Sequence, residues 1–549
     1  MLSDIRFALR WLKKSPGFAI TAVLSLAIGI GFNASLFAIV DALLFRPLPV
    51  ADANRLVDVY TSKPTGTAAE RFGTSSYPDY LDLAASNDVF DALVGFTPMF
   101  GPLNLSERSR LVLGEIVTGN YFRALGVRTP VGRPILPEDD RPGAPPVAVV
   151  SYRYWIRELG GSPDAIGGTL KLRGQAYTIV GVAPRGFNGM TPVLSPELWV
   201  PVAASLTVEP FGMHDVVPSP GGATRLDRRG ERWLFMRGRL KPGKSPDDAR
   251  ANLRVMMARL AAEYPATDQG RTVEVKATSG VHLHPALDPG LVPIAVALML
   301  VFGLVLLIAC ANVASMLLAR ASGRQKEIGI RLAIGASRAR LARQLITESL
   351  VMSGIGAVAG VGMAWAATRI AMSINLPLPI PLSFDLGIDL RVVAFTTAAA
   401  VLAGVLAGLV PALKASRPNV VAELRGDTIV AQAAGHRWTA GDVLVAGQIA
   451  VTVILLLSAV LLFRSLAASE RADIGFAPHR IAVLSTDTGM AGYQADRSAR
   501  FYEDALARVR AIPGVESAAL ATRVPFSVNP NRWEIWVPGH HDAGARPDV

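Results

Sequence analysis

Five stretches of this chain, residues 17–45, 290–319, 345–373, 392–413 and 441–463, are almost wholly apolar. A helix needs about 20 residues to cross a hydrocarbon core, and each stretch meets that length. Inside lipid every backbone N–H and C=O has to be satisfied within its own segment, so such runs become helices. At 51% apolar residues, 18% charged and a mean hydropathy of +0.35, the chain is too apolar for an ordinary soluble enzyme. The intervening residues 50–285 are ordinary polar sequence. The expected architecture is a polytopic α-helical membrane protein with a large α+β extracytoplasmic domain between spans 1 and 2, and a second copy beginning near 440.

The net charge of +11 invites a nucleic-acid reading, but its distribution excludes one. Arg320, Arg324, Lys326, Arg331, Arg338, Arg340 and Arg343 lie between the second and third runs, with Glu327 as the only acid. Lys414, Arg417, Arg425 and Arg437 follow the fourth run, and Arg6, Arg10, Lys13 and Lys14 precede the first. The connection at 374–390 holds Asp385 and Asp389 and no basic residue. Basic short loops alternating with an acidic one obey the positive-inside rule. The N-terminus is therefore expected in the cytoplasm and 50–285 outside, in a bacterial inner membrane. A single cysteine, Cys310, allows no disulfide within the chain. Lys13 and Lys14 before an apolar run resemble a signal peptide, but the run is too long and lacks a small-x-small exit, so it reads as an uncleaved helix.

Residues 2–15 place Ile5, Ala8, Leu9 and Leu12 on one helical face and four cations on another, the pattern of a helix lying in the membrane interface. In the outside domain "PPVAVVSYRYW" and "AYTIVGVAP" read as buried strands. "SPDDARANLRVMMARLAAEYP" reads as a helix capped by Ser245, with Pro246 in its first turn and an apolar stripe of Ala249, Leu253, Met256, Met257, Leu260 and Ala261. After the fifth run the chain repeats its outline: "RIAVLS" as strand, "RSARFYEDALARVRAI" as helix, "VESAALATRV" as strand. Val549 falls inside this second outside domain, which reads as a fragment.

"GRLKPGKS", residues 238–245, matches the phosphate-binding pattern G-x-x-x-x-G-K-[ST] and follows a strand-like run at Arg232–Met236. Pro242 removes an amide donor from the loop, no apolar strand ending in Asp supplies a second metal-binding element, and Lys244 falls outside the membrane. The letters read as a turn between a strand and a Ser-capped helix, so ATPase activity is expected in a partner and no catalytic, cofactor or metal site in this chain. His282-x-His284 with Asp288 reads as a juxtamembrane loop, and Asp139-Asp140 as a solvated turn. Asn33, Asp41 and Asn312 lie within apolar runs, where polar side chains face a partner helix or a functional path; for Asp41, near the outer interface, headgroup solvation is the alternative. Gly356-x-x-x-Gly360 and Gly404-x-x-x-Gly408 permit close helix approach.

The segment 319–350, "ARASGRQKEIGIRLAIGASRARLARQLITESL", carries the most information. Glu327 and Arg331 are spaced i,i+4 and pair on a helix. Ile328, Ile330, Leu332 and Ile334 give it apolar surface, Gly335-Ala336 ends it, and Ser337 caps the next helix. A short basic and apolar helix between two spans suits docking into a partner's groove; an amphipathic helix on lipid is the alternative. The segment resembles the coupling region of FtsX/MacB-type permeases, R-x-x-E-I-x-I-R-x-A-x-G-A-S-x-x-x-[IL]-x-x-Q-x-x-x-E-S, at Arg324, Glu327, Ile328, Ile330, Arg331, Ala333, Gly335, Ala336, Ser337, Leu341, Gln344, Glu348 and Ser349. "SPGFAITAVLSLAIGIGFNASLFAIVDALLFRPLP", "GNYFRALGVRTPVGRPILPEDD", "YTIVGVAPRGF", "PALKASRPNVVAEL" and "GQIAVTVILLLSAVLLFRSL" resemble other parts of that family. The duplicated layout is most similar to the duplicated orphan permeases of acidobacteria.

The resemblance implies a division into a cytoplasmic amphipathic helix (1–16), spans at 17–45, 290–319, 345–373, 391–413 and 441–466, a MacB-like periplasmic core domain (46–289), a coupling loop (320–344), an outside loop (374–390), a cytoplasmic linker (414–440) and an incomplete second outside domain (467–549). It implies a cytoplasmic ABC ATPase subunit as partner, contacted through Arg324, Glu327, Ile328, Ile330, Arg331, Gly335, Ala336 and Ser337, and a periplasmic adaptor or wall-associated protein on the other side. Membrane lipid is a further partner. Function is then the coupling of a partner's ATP hydrolysis to movement of the outside domain, for efflux or mechanotransmission. The alternative is a non-transporting regulator or scaffold whose outside domain binds a wall enzyme or adaptor.

Overall fold

A computed structural model of the chain describes residues 2–45, 48–105, 108–190, 195–210, 224–323, 337–373, 390–415, 440–471, 481–484, 486, 488, 493 and 495–521. It divides into two compact units. One, the helical unit, comprises 1–45, 289–376 and 386–482; the other, the domain unit, comprises 46–288, 377–385 and 483–549.

In chain order the longer helices are α1 (Leu2–Lys14), α2 (Pro16–Val40), α3 (Tyr77–Ala85), α4 (Tyr152–Glu158), α5 (Pro246–Glu263), α6 (Asp288–Gly323), α7 (Arg338–Ser373), α8 (Leu390–Ala415), α9 (Ala440–Glu470) and α10 (Ala495–Arg510). The strands are β1 (Leu56–Ser62), β2 (Phe90–Leu105), β3 (Arg108–Val117), β4 (Val131–Gly132), β5 (Val147–Val150), β6 (Thr169–Leu172), β7 (Gln175–Val182), β8 (Leu198–Pro201), β9 (Phe235–Leu240) and β10 (Thr272–Ala277). Among the described residues five helices, α2, α6, α7, α8 and α9, contain stretches long and apolar enough to cross a membrane.

The domain unit is built on one sheet in the order β10-β1-β9-β2-β3-β8-β5-β7-β4, with β6 bridging β2 and β7. Its ladders are antiparallel except β3–β8 and β5–β7. Strand side chains alternate between faces, and both faces here are covered. Ala148, Val150, Leu198 and Val200 point into the core that α3 and α5 complete with Tyr80, Leu83, Leu253 and Met257. Val149 and Trp199 point the other way, into a second core with Tyr121, Phe122 and Phe187. The α5 helix forms as its sequence dictates. Ser245 accepts from the Asp248 amide while Asp248 reaches back to the Ser245 amide, and Ala249, Leu253, Met256, Met257 and Leu260 are buried.

Four sequence expectations are corrected here. "PPVAVVSYRYW" is not one strand: β5 ends at Val150, and Ser151 caps α4 by accepting from the Tyr154 amide at 3.1 Å. The strand expected at Arg232–Met236 is β9, three residues further along. Residues 481–484 and 515–521, expected in strands, form none, because no strand among the described residues pairs with them. Asp139-Asp140 is no solvated turn. Asp139 is buried, pairs with Arg133 at 2.6 Å and accepts from the Leu136 amide. Asp140 accepts from the Gly119 and Ala203 amides at 2.9 and 3.2 Å, tying two loops together.

In the helical unit α7 is the central member, packed against α2 on one side and α8 on the other. A π-helical turn at Asp41–Phe45 ends the first span. The helix expected at 2–15 is α1, and it packs on the bundle through Ala8 and Leu12, which are buried.

Candidate transmission site

Glycine brings the helices of the helical unit close together. A Cβ added to Gly360 of α7 would lie 2.9 Å from the Ala27 carbonyl oxygen and 3.0 Å from the Gly31 amide nitrogen, both in α2. One added to Gly356 would meet the Leu26 side chain at 2.9 Å. On the opposite side, a Cβ at Gly404 of α8 would lie 3.0 Å from the Leu350 Cα, and at Gly408 3.2 Å from the Ile346 Cα. Their immediate neighbours are the hydroxyls of Ser353 and Ser349, at 2.5 and 2.2 Å from the added atoms. Without the glycines the helices stand further apart and lose the dispersion contacts that hold them in lipid, where no hydrophobic effect drives helix association. The α2–α7–α8 group is therefore closely packed, backbone against backbone.

Polar side chains join the remaining helices to it. Asn33 of α2 donates to the Phe302 carbonyl of α6 at 2.9 Å, and Asn312 of α6 accepts from Gln448 of α9 at 2.8 Å. Asp41 is fully buried, with its Oδ1 3.6 Å from an Arg391 nitrogen at the start of α8, and Arg391 also donates to the Phe45 carbonyl. Headgroup solvation of Asp41 is thereby excluded. At the other end, Asp4 of α1 lies 3.5 Å from Arg343 of α7. Arg320, at the end of α6, donates to the Ser15 hydroxyl at 2.7 Å and stacks over Phe18 at 4.2 Å. Asn33, Asn312 and the paired glycines were legible in the sequence. The Arg391 and Arg320 contacts were not, because nothing in the spacing of either arginine points to a partner hundreds of residues away.

Of the expected ATPase-contacting residues, Arg324, Glu327, Ile328, Ile330, Arg331, Gly335 and Ala336 lie outside the described residues, as does Ala333. Ser337 is exposed and caps α7 by accepting from the Arg340 amide at 3.3 Å. Further along the same motif, Gln344 donates to Glu348 at 3.1 Å, and Glu348 and Ser349 are buried in the bundle. This half of the motif serves helix packing: Ser349 is the side chain that fills the space beside Gly408.

The "GRLKPGKS" residues run from β9 through a turn to the cap of α5. Gly238 lies mid-strand, paired with Val57 on one side and Leu93 on the other. The Lys241 amide donates to the Val89 carbonyl, the Lys244 amide to the Lys241 carbonyl, and the Ser245 amide to Asp248. Pro242 has no N–H. A phosphate loop turns successive amides toward its ligand; here those of Lys241, Lys244 and Ser245 are bonded within the protein.

Charge in the domain unit is likewise spent on structure. Asp79 and Asp82 share Arg229, each at 2.6 Å, and Arg232 joins Asp268 and lies 3.7 Å from Asp79. Burial and the neighbouring Asp79 raise the Asp268 carboxyl to about 6. Burial likewise raises Asp140 to about 6, against the pull of its backbone donors. Glu115, buried, accepts from the Tyr121 hydroxyl and the Trp199 indole at 2.9 Å and from the Met190 amide at 3.2 Å. Asp58 pairs with Arg237, which reaches the Met190 carbonyl. His284 stands between the Phe72 carbonyl at Nε2 and the Ala286 amide at Nδ1, the arrangement of a neutral ring, and burial holds its pKa below the usual value. Asp288 accepts from the His282, Leu283 and His284 amides. Among the described residues no group of three or more His, Cys, Asp or Glu could hold a metal ion.

Comparison with known proteins places these features. The family model of the MacB-like periplasmic core domain matches residues 19–255, and that of the FtsX-like permease C-terminal domain matches residues 299–420. A probable export ATP-binding/permease protein of Pseudomonas fluorescens is 23% identical over 63% of this chain and 48% of its own length. A pyoverdine export ATP-binding/permease protein of Pseudomonas syringae is 26% identical over 44% of this chain and 34% of its own. A macrolide export ATP-binding/permease protein of Marinobacter nauticus is 38% identical over 13% of this chain and 11% of its own. The chain thus spans at most about half the length of these relatives.

Proposed function

The chain belongs to the MacB/FtsX-like ABC permeases, and from that premise we propose that it passes the motion of a separate cytoplasmic ATPase through its spans to the extracytoplasmic domain. The observation that carries this reading is the glycine-locked group of α2, α7 and α8. Ser337, where the coupling segment meets α7, caps that 36-residue helix, which is about 54 Å long at 1.5 Å per residue. A push on the loop moves α7, and α2 and α8 follow because their backbones touch it. Few charges lie mid-span, which favours this mechanical role over passage of a polar solute between the helices.

The charge bias of the short loops supports a cytoplasmic N-terminus, a bacterial inner membrane and an ATPase contact at 324–337. It also supports a position for Lys244 on the side of the membrane where nucleotide is scarce. The internal bonding of the 238–245 amides supports the reading of those letters as a strand and turn, with ATP hydrolysis left to the partner. The export relatives support efflux as the outcome, with an adaptor or wall-associated protein engaged by the outside domain. They favour the permease over the scaffold alternative.

The test is co-purification from native membranes in mild detergent, followed by mass spectrometry. A co-purifying ABC ATPase is expected, and the double change Glu327→Lys with Arg331→Glu should remove it while leaving the melting temperature unchanged. If the ATPase stays bound to the double variant, the coupling assignment is wrong. Should no ATPase accompany the wild type under any gentle condition, the energised reading itself fails.

A further inference from the structure

We infer that α1 is a binding surface for anionic phospholipid headgroups, built so that its charged stripe is aimed at the bilayer interface by the bundle. Successive helical residues turn by about 100°, which divides α1 into three adjacent stripes. The first holds Ala8 and Leu12, both buried against the helical unit. The second is Ile5 and Leu9, apolar and open, at 36% and 45% exposure. The third is Arg6, Arg10, Lys13 and Lys14, all exposed, and among the described residues none of the four has an acidic partner.

The rotation of α1 is held at both ends. Asp4 faces Arg343 at 3.5 Å, and Ser15, just past the helix, receives the Arg320 guanidinium, which also stacks on Phe18. These contacts join α1 to the last turn of α6 and the second turn of α7, both helices apolar enough to cross a membrane; in the proposed arrangement this end of the helices meets the headgroups. A free amphipathic helix buries its whole apolar face in lipid. Here the bundle takes half of that face, and Ile5 and Leu9 remain for acyl chains beside the cations. Four cations with no acidic partner among the described residues, set next to an apolar stripe at a headgroup level, complement phosphate, and the phosphate available there in quantity is that of anionic lipid. Each Lys or Arg near such a surface strengthens binding about fivefold.

The test uses the full chain in vesicles, with Cys310→Ala and Leu9→Cys carrying a fluorophore. Quenching by brominated phosphatidylglycerol is compared with quenching by brominated phosphatidylcholine at equal mole fraction. Stronger quenching by the anionic lipid is expected, at least about fivefold in relative affinity, the factor for a single cation. The preference should vanish in Arg6→Gln/Arg10→Gln/Lys13→Gln/Lys14→Gln. It should also shrink in 1 M salt, where charges are screened within about 3 Å; this arm needs no variant to fold. Equal quenching by both lipids would overturn the proposal, as would none by either, which would place α1 out of the bilayer. No ATPase enters the experiment, so its outcome is independent of the coupling reading above.

Discussion

Gly360 shows how much one residue decides in this bundle. Its α-carbon faces α2 with backbone on both sides of the missing side chain, so no flexible group can move aside. Gly362, two residues on, has nothing within 4 Å of an added Cβ. Gly360→Ala should therefore destabilise the protein by about 1–3 kcal/mol, whereas Gly362→Ala should be neutral or gain up to about 1 kcal/mol in helix propensity. Melting of the two variants in the same detergent checks the contrast, and equal behaviour would count against the close approach. Asp140 carries a second prediction. Its carboxyl, raised to about 6 when folded, lies near 3.8 when unfolded, so the folded state holds the proton more tightly between those values. Stability should then fall as pH rises from about 4 through 6, by on the order of 2 kcal/mol. Asp268, raised in the same direction, adds to that slope. Unfolding of wild type and Asp140→Asn across pH 4–7 tests this; the variant should show a shallower slope and, since it can replace only one of two acceptors, lower stability at pH 4. Neither carboxylate was legible in the sequence. Asp139-Asp140 sits among Pro and Gly residues that mark a turn, and only the folded chain shows the Gly119 and Ala203 amides converging on it.

At the scale of elements, helices were easier to read than strands. A run such as α5 carries its cap, its first-turn proline and its apolar stripe within 20 neighbouring residues, so its physics is local. "PPVAVVSYRYW" misleads for the same reason. Val, Tyr and Trp suit a strand, but the stronger local signal is Ser151, whose hydroxyl captures an amide three residues on and starts α4. Residues 481–484 and 515–521 have strand composition and no strand, because a ladder needs a partner. The attachment of α9 belongs to this scale too. Most of its apolar residues are exposed, and Gln448 joins it to Asn312 of α6. Interhelical hydrogen bonds in membranes average about 0.6 kcal/mol and reach about 1.7. A double-mutant cycle with Asn312→Val and Gln448→Val should return a coupling in that range. A coupling of zero would mean that the pair does not hold α9.

For the whole molecule, the contrast between Lys244 and Gly238 separates the two meanings of one motif. If the letters 238–245 bound nucleotide, both residues would be needed for it. In the strand-and-turn reading Lys244→Ala is silent in stability and in function with the proposed partner ATPase. Gly238→Val, by contrast, forces a side chain into the Phe90 ring, which a Cβ would already meet at 2.4 Å, and costs about 1–3 kcal/mol. Melting temperature and partner-ATPase activity of both variants decide the matter; loss of function in Lys244→Ala at full stability would restore the nucleotide reading. The sequence by itself determined how many helices are apolar enough to cross a membrane, where the large domain is inserted and which loops are basic. These are sums over neighbouring residues, and bilayer partition depends on such sums alone. Which faces touch was decided by the tertiary structure. Gly31 and Gly360, Asp41 and Arg391, Ser15 and Arg320 stand on opposite sides of the inserted domain in the chain. No local property of either partner encodes the other; the pairs exist only once the helices have packed, each chosen by the space and charge that the other leaves.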